Sequence, residues 1–438
     1  VPSPTPGPPS APSSASASSA GSSASSPAPA PGGVRSVLTR DALGRLTLGS
    51  GAVLALSLLL PRDTSSLPIG LVLALLAGIV GIILVCAFGV VHQAEQLAAR
   101  LGDPYGTLVL TISIGAIEVA LIAAMMLDPG DHTTIARDSI MAVTMIILNL
   151  VVGLSLLLGG LRYGALAANR TGVTTYLVLA TTFCLLAFGL PGLVGSGGAY
   201  TPPQEIVVVV LTLGLYAFFL SQQLGPRASD FQEVAVGSAD GHACAGMRSA
   251  QARGGSAEAE AAGTRAGARD TETTASSDHA LPQPWSEHRT EILLRTAVLI
   301  ATVLPIVLMG HAMAALVDDV LERSGAPVAL AGVLVAMIVF TPETLTSLRA
   351  ALDGETQRVV NLCHGAMVGT TGTTIPVVLL ISALTGQHVV FAESAVNLSL
   401  LAVTLAVSAL TFLGPRATAV HGAVHLGLFA TYALTLFA

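Results

Sequence analysis

The chain has 438 residues, of which 52% are hydrophobic and only 10% charged, with a mean hydropathy of +0.75. That balance excludes an ordinary soluble protein and points to a polytopic membrane protein. The formal net charge of −7 says little about partners, because half of the acidic residues fall in loops or polar segments.

The N-terminal stretch, residues 1–33, contains only Ser, Ala, Pro, Gly, Thr and Val, a composition that cannot bury a core. No basic segment precedes an apolar one there, so it does not read as a secretory signal. Residues 1–40 are therefore expected to be a disordered tail. Eleven apolar stretches near membrane-spanning length follow, at about 46–61, 67–91, 105–127, 138–161, 172–194, 204–222, 291–316, 326–350, 360–384, 390–412 and 415–437. The first is short, and the second extends through HQAEQLAARL as a helix that leaves the membrane at His92. A polar Gly/Ala/Ser-rich segment, 223–290, splits the spans into six and five. The expected organisation is thus a tail (1–40), a first membrane half (41–222), a disordered cytoplasmic linker (223–290) and a second membrane half (291–438).

All nineteen basic residues are Arg. A cytoplasmic N-terminus puts sixteen of them inside and leaves Arg62, Arg137 and Arg323 outside, as the positive-inside rule requires. Cys86, Cys184, Cys244 and Cys363 lie far apart without a CxxC, so they read as small core residues and not as a zinc or redox site.

Glu118 stands inside the apolar run TISIGAIEVALIAAMML and Glu343 inside VLVAMIVFTPETLTSLRAAL. Centring a carboxylate in hydrocarbon costs about 2.5–3.5 kcal/mol on insertion scales, so a fold that keeps two is expected to use them. They fall in the third and eighth spans. Five helices apart, these spans run in opposite directions, the arrangement of inverted-topology repeats whose distorted helices meet at the bilayer midplane. Thr111 and Gly115 share a helical face with Glu118, and Thr346 and Ser347 share one with Glu343. Pro342 and Pro376 should free the carbonyls of Ile338 and Gly372, while Gly365, Gly369 and Gly372 permit close backbone approach. Two carboxylates among hydroxyl and carbonyl oxygens form a hard, oxygen-only site suited to Ca2+. Held together in a low dielectric, the two acids cannot both stay ionised without a cation, so a proton and a metal ion would occupy the site in turn.

PETLTSLRAALDGETQRVVNLCHGAMVGTTGTTIPVVLL resembles the second signature repeat of bacterial calcium/proton antiporters in the Ca2+:cation antiporter superfamily. PYGTLVLTISIGAIEVALIAAMML with ARDSIMAVTMIILNLVVGLSLLLGG resembles the first. Many relatives carry GNAVE and GSSTQ where this chain has GAIE and GTTGTT. The resemblance implies an all-α membrane protein with one extra N-terminal helix and two inverted five-helix repeats. It also implies exchange of cytoplasmic Ca2+ for external H+ by alternating access. Glu118 and Glu343 would then be the shared cation and proton groups, with Asn149, Thr370, Thr373 and Thr374 as polar ligands.

Other polar residues keep two readings. Asn149 is either a ligand or interhelical glue. His92, Glu95 and His364 are candidates for a proton path, against a solvated interfacial face for the first two and a satisfied core histidine for the third. His311, His421 and His425 read as packing or interface residues. Glu205 and Glu393 sit at outer helix starts, where a carboxylate suits the helix dipole.

No HExxH, GxGD or Ser–His protease signature occurs and no Lys is available for a respiratory-type proton relay, so a transporter and not an enzyme is expected. Na+/H+ or K+/H+ exchange is the alternative, with a passive cation channel behind it. No cofactor beyond the transported ions and no nucleic-acid partner is expected. The bilayer is the partner, homo-oligomer formation is left open, and the Ala/Gly/Arg-rich composition points to a bacterial plasma membrane.

Overall fold

The computed structural model describes residues 37–61, 64, 66–101, 105–127, 133–225, 227–231 and 289–437. Most of the expected tail and linker, and Cys244 with them, lie outside the described residues, as does the side chain of Thr111. Eleven long helices carry the described chain: α1 Arg40–Leu59, α2 Ile69–Leu101, α3 Tyr105–Met126, α4 Ile135–Tyr163, α5 Arg170–Val194, α6 Pro202–Gln223, α7 Arg289–Ser324, α8 Ala329–Asp353, α9 Thr356–Thr385, α10 Ala395–Leu413 and α11 Ala419–Thr435. Nine are long and apolar enough to cross a membrane; α3 contributes a shorter apolar piece, Gly115–Met126, and α11 is 17 residues long. The described residues form no sheet, only isolated bridges.

Local sequence sets the boundaries. The Thr39 hydroxyl accepts from Ala42 N and Asn169 from Thr171 and Gly172 N, while Thr201 and Gln204 form a capping box behind Pro202. Gly354 and Gly386 end α8 and α9 in the left-handed region, a conformation that side-chain-bearing residues rarely adopt.

Helices α4 and α9 form the centre of the bundle: the most apolar windows of their spans are 83% and 67% buried, against 11% for the peripheral α1. The long helices α2 and α7 lie along one another. Helix α4 packs on α8 and α11, and α9 packs on α3 and α6, so each central helix packs on the corresponding pair of helices in the other half. This exchange of partners is the signature of the two inverted repeats. Glycines set the closest approaches: a Cβ on Gly160 would meet the backbone of Ala419, one on Gly422 the backbone of α4, and one on Gly372 the Tyr216 and Phe183 rings. Helix α1 rests Gly49 against Cys86 and Pro305. Cys86, Cys184 and Cys363 are buried and free.

Three features depart from expectation. Helix α1 begins at Arg40, inside the expected tail, because Thr39 caps it and Val37 is buried. The first part of the expected linker is docked on the bundle: after α6, a short turn Ala228–Phe231 places the Phe231 ring against Tyr176 and Phe219, and Asn361 Nδ2 donates to Phe231 O. Finally, α4 and α5 contain π-helical turns at Ile146–Val151 and Leu185–Gly189. Such turns insert an extra residue and recur at functional sites.

The two ends of the bundle differ. At the end carrying Arg45 and Arg349, a cleft of about 450 Å³ opens between α1, α2 and α8. At the opposite end the segment joining α9 to α10 runs across the bundle. Its Gln387 Nε2 donates to Met126 O (2.9 Å), Val390 N to Thr133 O (2.9 Å), Phe391 N to Gly198 O (3.0 Å) and Glu393 N to Phe188 O (3.2 Å).

Candidate cation site

Helix α3 carries Glu118 and α8 carries Glu343, one from each repeat. Glu118 is 0% exposed. Its polar neighbours are Thr370 and Thr374, one turn apart on α9. Both carboxylate oxygens and Thr374 Oγ1 are buried with no hydrogen bond that meets the distance and angle limits among the described residues. Glu343 is half-buried as a residue, but its Oε2 is buried and likewise unpaired. Glu118 is the charge that acts on Glu343. Helices α3 and α8 pack on one another and both pack on α9, and the two acids stand within electrostatic reach of each other there.

The surrounding helices explain this placement. A Cβ on Gly115, one turn before Glu118, would lie 3.2 Å from Thr373 Oγ1, so the bare glycine lets α3 and α9 close up next to the carboxylate. Thr373 donates to Gly369 O (2.9 Å) and Thr370 O (3.1 Å), and Thr371 to Met367 O (2.7 Å). These back-bonds hold the threonine-rich turn of α9 in place. On α8, Pro342 offers no N–H to Ile338 O, and its own carbonyl accepts from Thr346 Oγ1 (3.1 Å). Ser347 accepts from Cys363 Sγ (3.6 Å), which pins α8 to α9. Among the described residues no group of three His, Cys, Asp or Glu side chains gathers, so the donors available to a cation are two carboxylates and hydroxyl oxygens. This is a hard set with two negative charges.

The remaining sequence candidates separate. Thr370, Thr373 and Thr374 are at the site. Asn149 is not turned to the carboxylates: its amide is bonded to Thr404 of α10 and His425 of α11. His92 and Glu95 are exposed and line the cleft, together with Pro342 and Thr346 on either side of Glu343. His364 is buried, its ring edge-on to Phe412 at 5.1 Å. Neither ring nitrogen has a hydrogen-bond partner among the described residues. His311 is exposed, and His421 caps α11. The sequence reading missed the polar face of α10. Thr404, Ser408 and Thr411 recur at helical spacing and are all buried, a period visible in the sequence itself.

An acid from each of two oppositely oriented repeats, set in the interior of an eleven-helix membrane bundle, is the arrangement expected of a membrane-embedded cation exchanger. Comparison with known proteins agrees. The family of sodium/calcium exchanger proteins matches residues 70–225 and 294–438, and the chain belongs to that family. It is similar to the sodium-potassium/proton antiporter ChaA of Escherichia coli, 31% identical over 390 residues that cover 88% of this chain and 94% of that protein. In fold it is similar to native YfkE (TM-score 0.60, 16% identity, 90% of this chain and 99% of that one). It is similar also to the H+/Ca2+ exchanger CAX (TM-score 0.56, 12% identity, 90% and 87%).

Proposed function

We propose that the chain moves Ca2+ out of the cytoplasm in exchange for external H+, with Glu118 and Glu343 as the groups that bind cation and proton in turn. The observation that carries this reading is the pair of buried carboxylates, coupled to one another and short of protein partners. A bound divalent ion would balance their charge. Protons would do so in its place, since burying two uncompensated carboxylates side by side costs far more than the fold can supply. Thr370, Thr373 and Thr374 add hydroxyl oxygens to the site. No resident cofactor is needed, because the proton gradient supplies the driving force.

The Arg-rich end is taken as cytoplasmic on the positive-inside rule, in a bacterial plasma membrane. The cleft beside Glu343 then gives the site access to the cytoplasm, with His92 and Glu95 on its wall. A second reading, Na+ or K+ in exchange for H+, is favoured by the 31% identity to a sodium-potassium/proton antiporter.

Purified protein in proteoliposomes with an imposed pH gradient separates these readings. Ca2+ should dissipate the gradient, and Glu118→Gln and Glu343→Gln should each abolish the response while the protein still melts cooperatively. A response to Na+ or K+ alone would favour the second reading. Retained exchange in both variants, or flux that persists without a counter-gradient, would refute the antiport site.

A further inference from the structure

Asn149 sits in the π-turn of α4, which packs on α8, α9, α10 and α11. Its amide bonds to α10, to α11 and to its own helix. Nδ2 donates to Thr404 Oγ1 (2.9 Å) and approaches Met145 Sδ (3.2 Å), and Oδ1 lies 3.2 Å from His425 Nδ1. His425 Nε2 is in turn 3.4 Å from Thr411 Oγ1. All five side chains are buried. The network fixes its own proton arrangement: an amide oxygen only accepts, so His425 carries its hydrogen on Nδ1 and Nε2 accepts from the Thr411 hydroxyl.

We propose that Asn149 is a positioning residue and not a cation ligand. Together with His425, Thr404 and Thr411 it anchors the π-turn of α4 to α10 and α11. By that tie it fixes the wall against which α8, the carrier of Glu343, and α9, the neighbour of Glu118, are packed. The network also joins the central helix of the first repeat to the last two helices of the second, the kind of link that must be kept or exchanged in register when the two halves move. The proposal rests on the antiport reading only in that the halves move during transport.

The test uses the full-length protein and two readouts. One is cation affinity, from titration of thermal stability; the other is maximal exchange rate in proteoliposomes, with whichever of Ca2+, Na+ and K+ the wild type moves. Asn149→Ala and His425→Leu should each lower the maximal rate about tenfold and leave cation half-saturation within about twofold. The double variant should be no slower than the slower single one, because both remove the same link. His425→Gln, which can still donate to the Asn149 carbonyl, should recover at least about half of the rate. If His425→Leu does not fold, Thr404→Val cuts the other side of the amide and should give the same pattern.

A rise in half-saturation of about tenfold or more in Asn149→Ala, with His425→Leu unaffected, would overturn the proposal and make Asn149 a ligand. Multiplying losses in the double variant, or a Gln variant as slow as Leu, would also overturn it. Wild type inactive with all three ions but with a cation-dependent thermal shift lost in Asn149→Ala would fail both readings. The same shift kept in Asn149→Ala would fail the antiport reading alone and uphold Asn149 as a non-ligand.

Discussion

Carboxylates in this bundle are handled in two ways, and Glu393 illustrates the second. Glu118 and Glu343 are buried and short of partners. Glu393, just before α10, also has a side chain that is only 3% exposed, but its Oε2 accepts from Asn397 Nδ2 and Ser394 N, both at 2.9 Å, and Arg137 Nε lies 3.7 Å from Oε1. Burial nevertheless pushes its carboxyl above the usual carboxylate range. The Asn397, Arg137 and Ser394 contacts lower it only in part, and Asp138 adds to the rise. A raised acid keeps its proton in the folded protein where the unfolded chain has lost it. The stability it contributes is therefore complete below the ordinary carboxylate pKa and is lost as pH rises through the folded value. The melting temperature of the detergent-solubilised protein should accordingly fall with rising pH across this window, and Glu393→Gln should flatten that fall. Equal slopes in the two proteins would remove Glu393 from the pH response.

Individual helices show what could and could not be read from the chain. Hydropathy located all eleven, and the cost of burying charge singled out Glu118 and Glu343. The π-turn of α4 was not legible, because an i→i+5 turn has no compositional mark and depends on what the neighbouring helices demand. For the same reason Asn149 could be seen as polar but not assigned a partner: Thr404 and His425 are more than 250 positions away. The docking of Phe231 was hidden by the polar residues around it.

Packing between helices, in contrast, follows from glycines. On Gly160 a Cβ would collide with the backbone of Ala419, whereas Gly44 in α1 has open space. Gly160→Ala should thus destabilise the protein by about 1–3 kcal/mol through overpacking of α4 on α11, and Gly44→Ala should be neutral or slightly stabilising. Thermal melts of the two variants check this; equal effects would mean the α4–α11 contact is not tight.

At the level of the whole molecule, the inverted repeats place one acid from each half in a common interior while leaving the two ends unequal. A cleft lies open beside Pro342 and Thr346 at the Arg-rich end, and the α9–α10 segment is bonded across the other. A cysteine at Thr346, in a background with the native cysteines replaced, should therefore react with a membrane-impermeant thiol reagent from the Arg-rich side. Reaction only from the opposite side would reverse the assignment of the open end. The proposed mutual exclusion of cation and proton at Glu118 and Glu343 is open to direct measurement as proton release from the weakly buffered, solubilised protein when Ca2+, Na+ or K+ is added. The wild type should release protons in a saturable manner and the Glu118→Gln/Glu343→Gln double variant none. Cation binding by the wild type without proton release, or undiminished release from the double variant, would contradict a site that the two ions share.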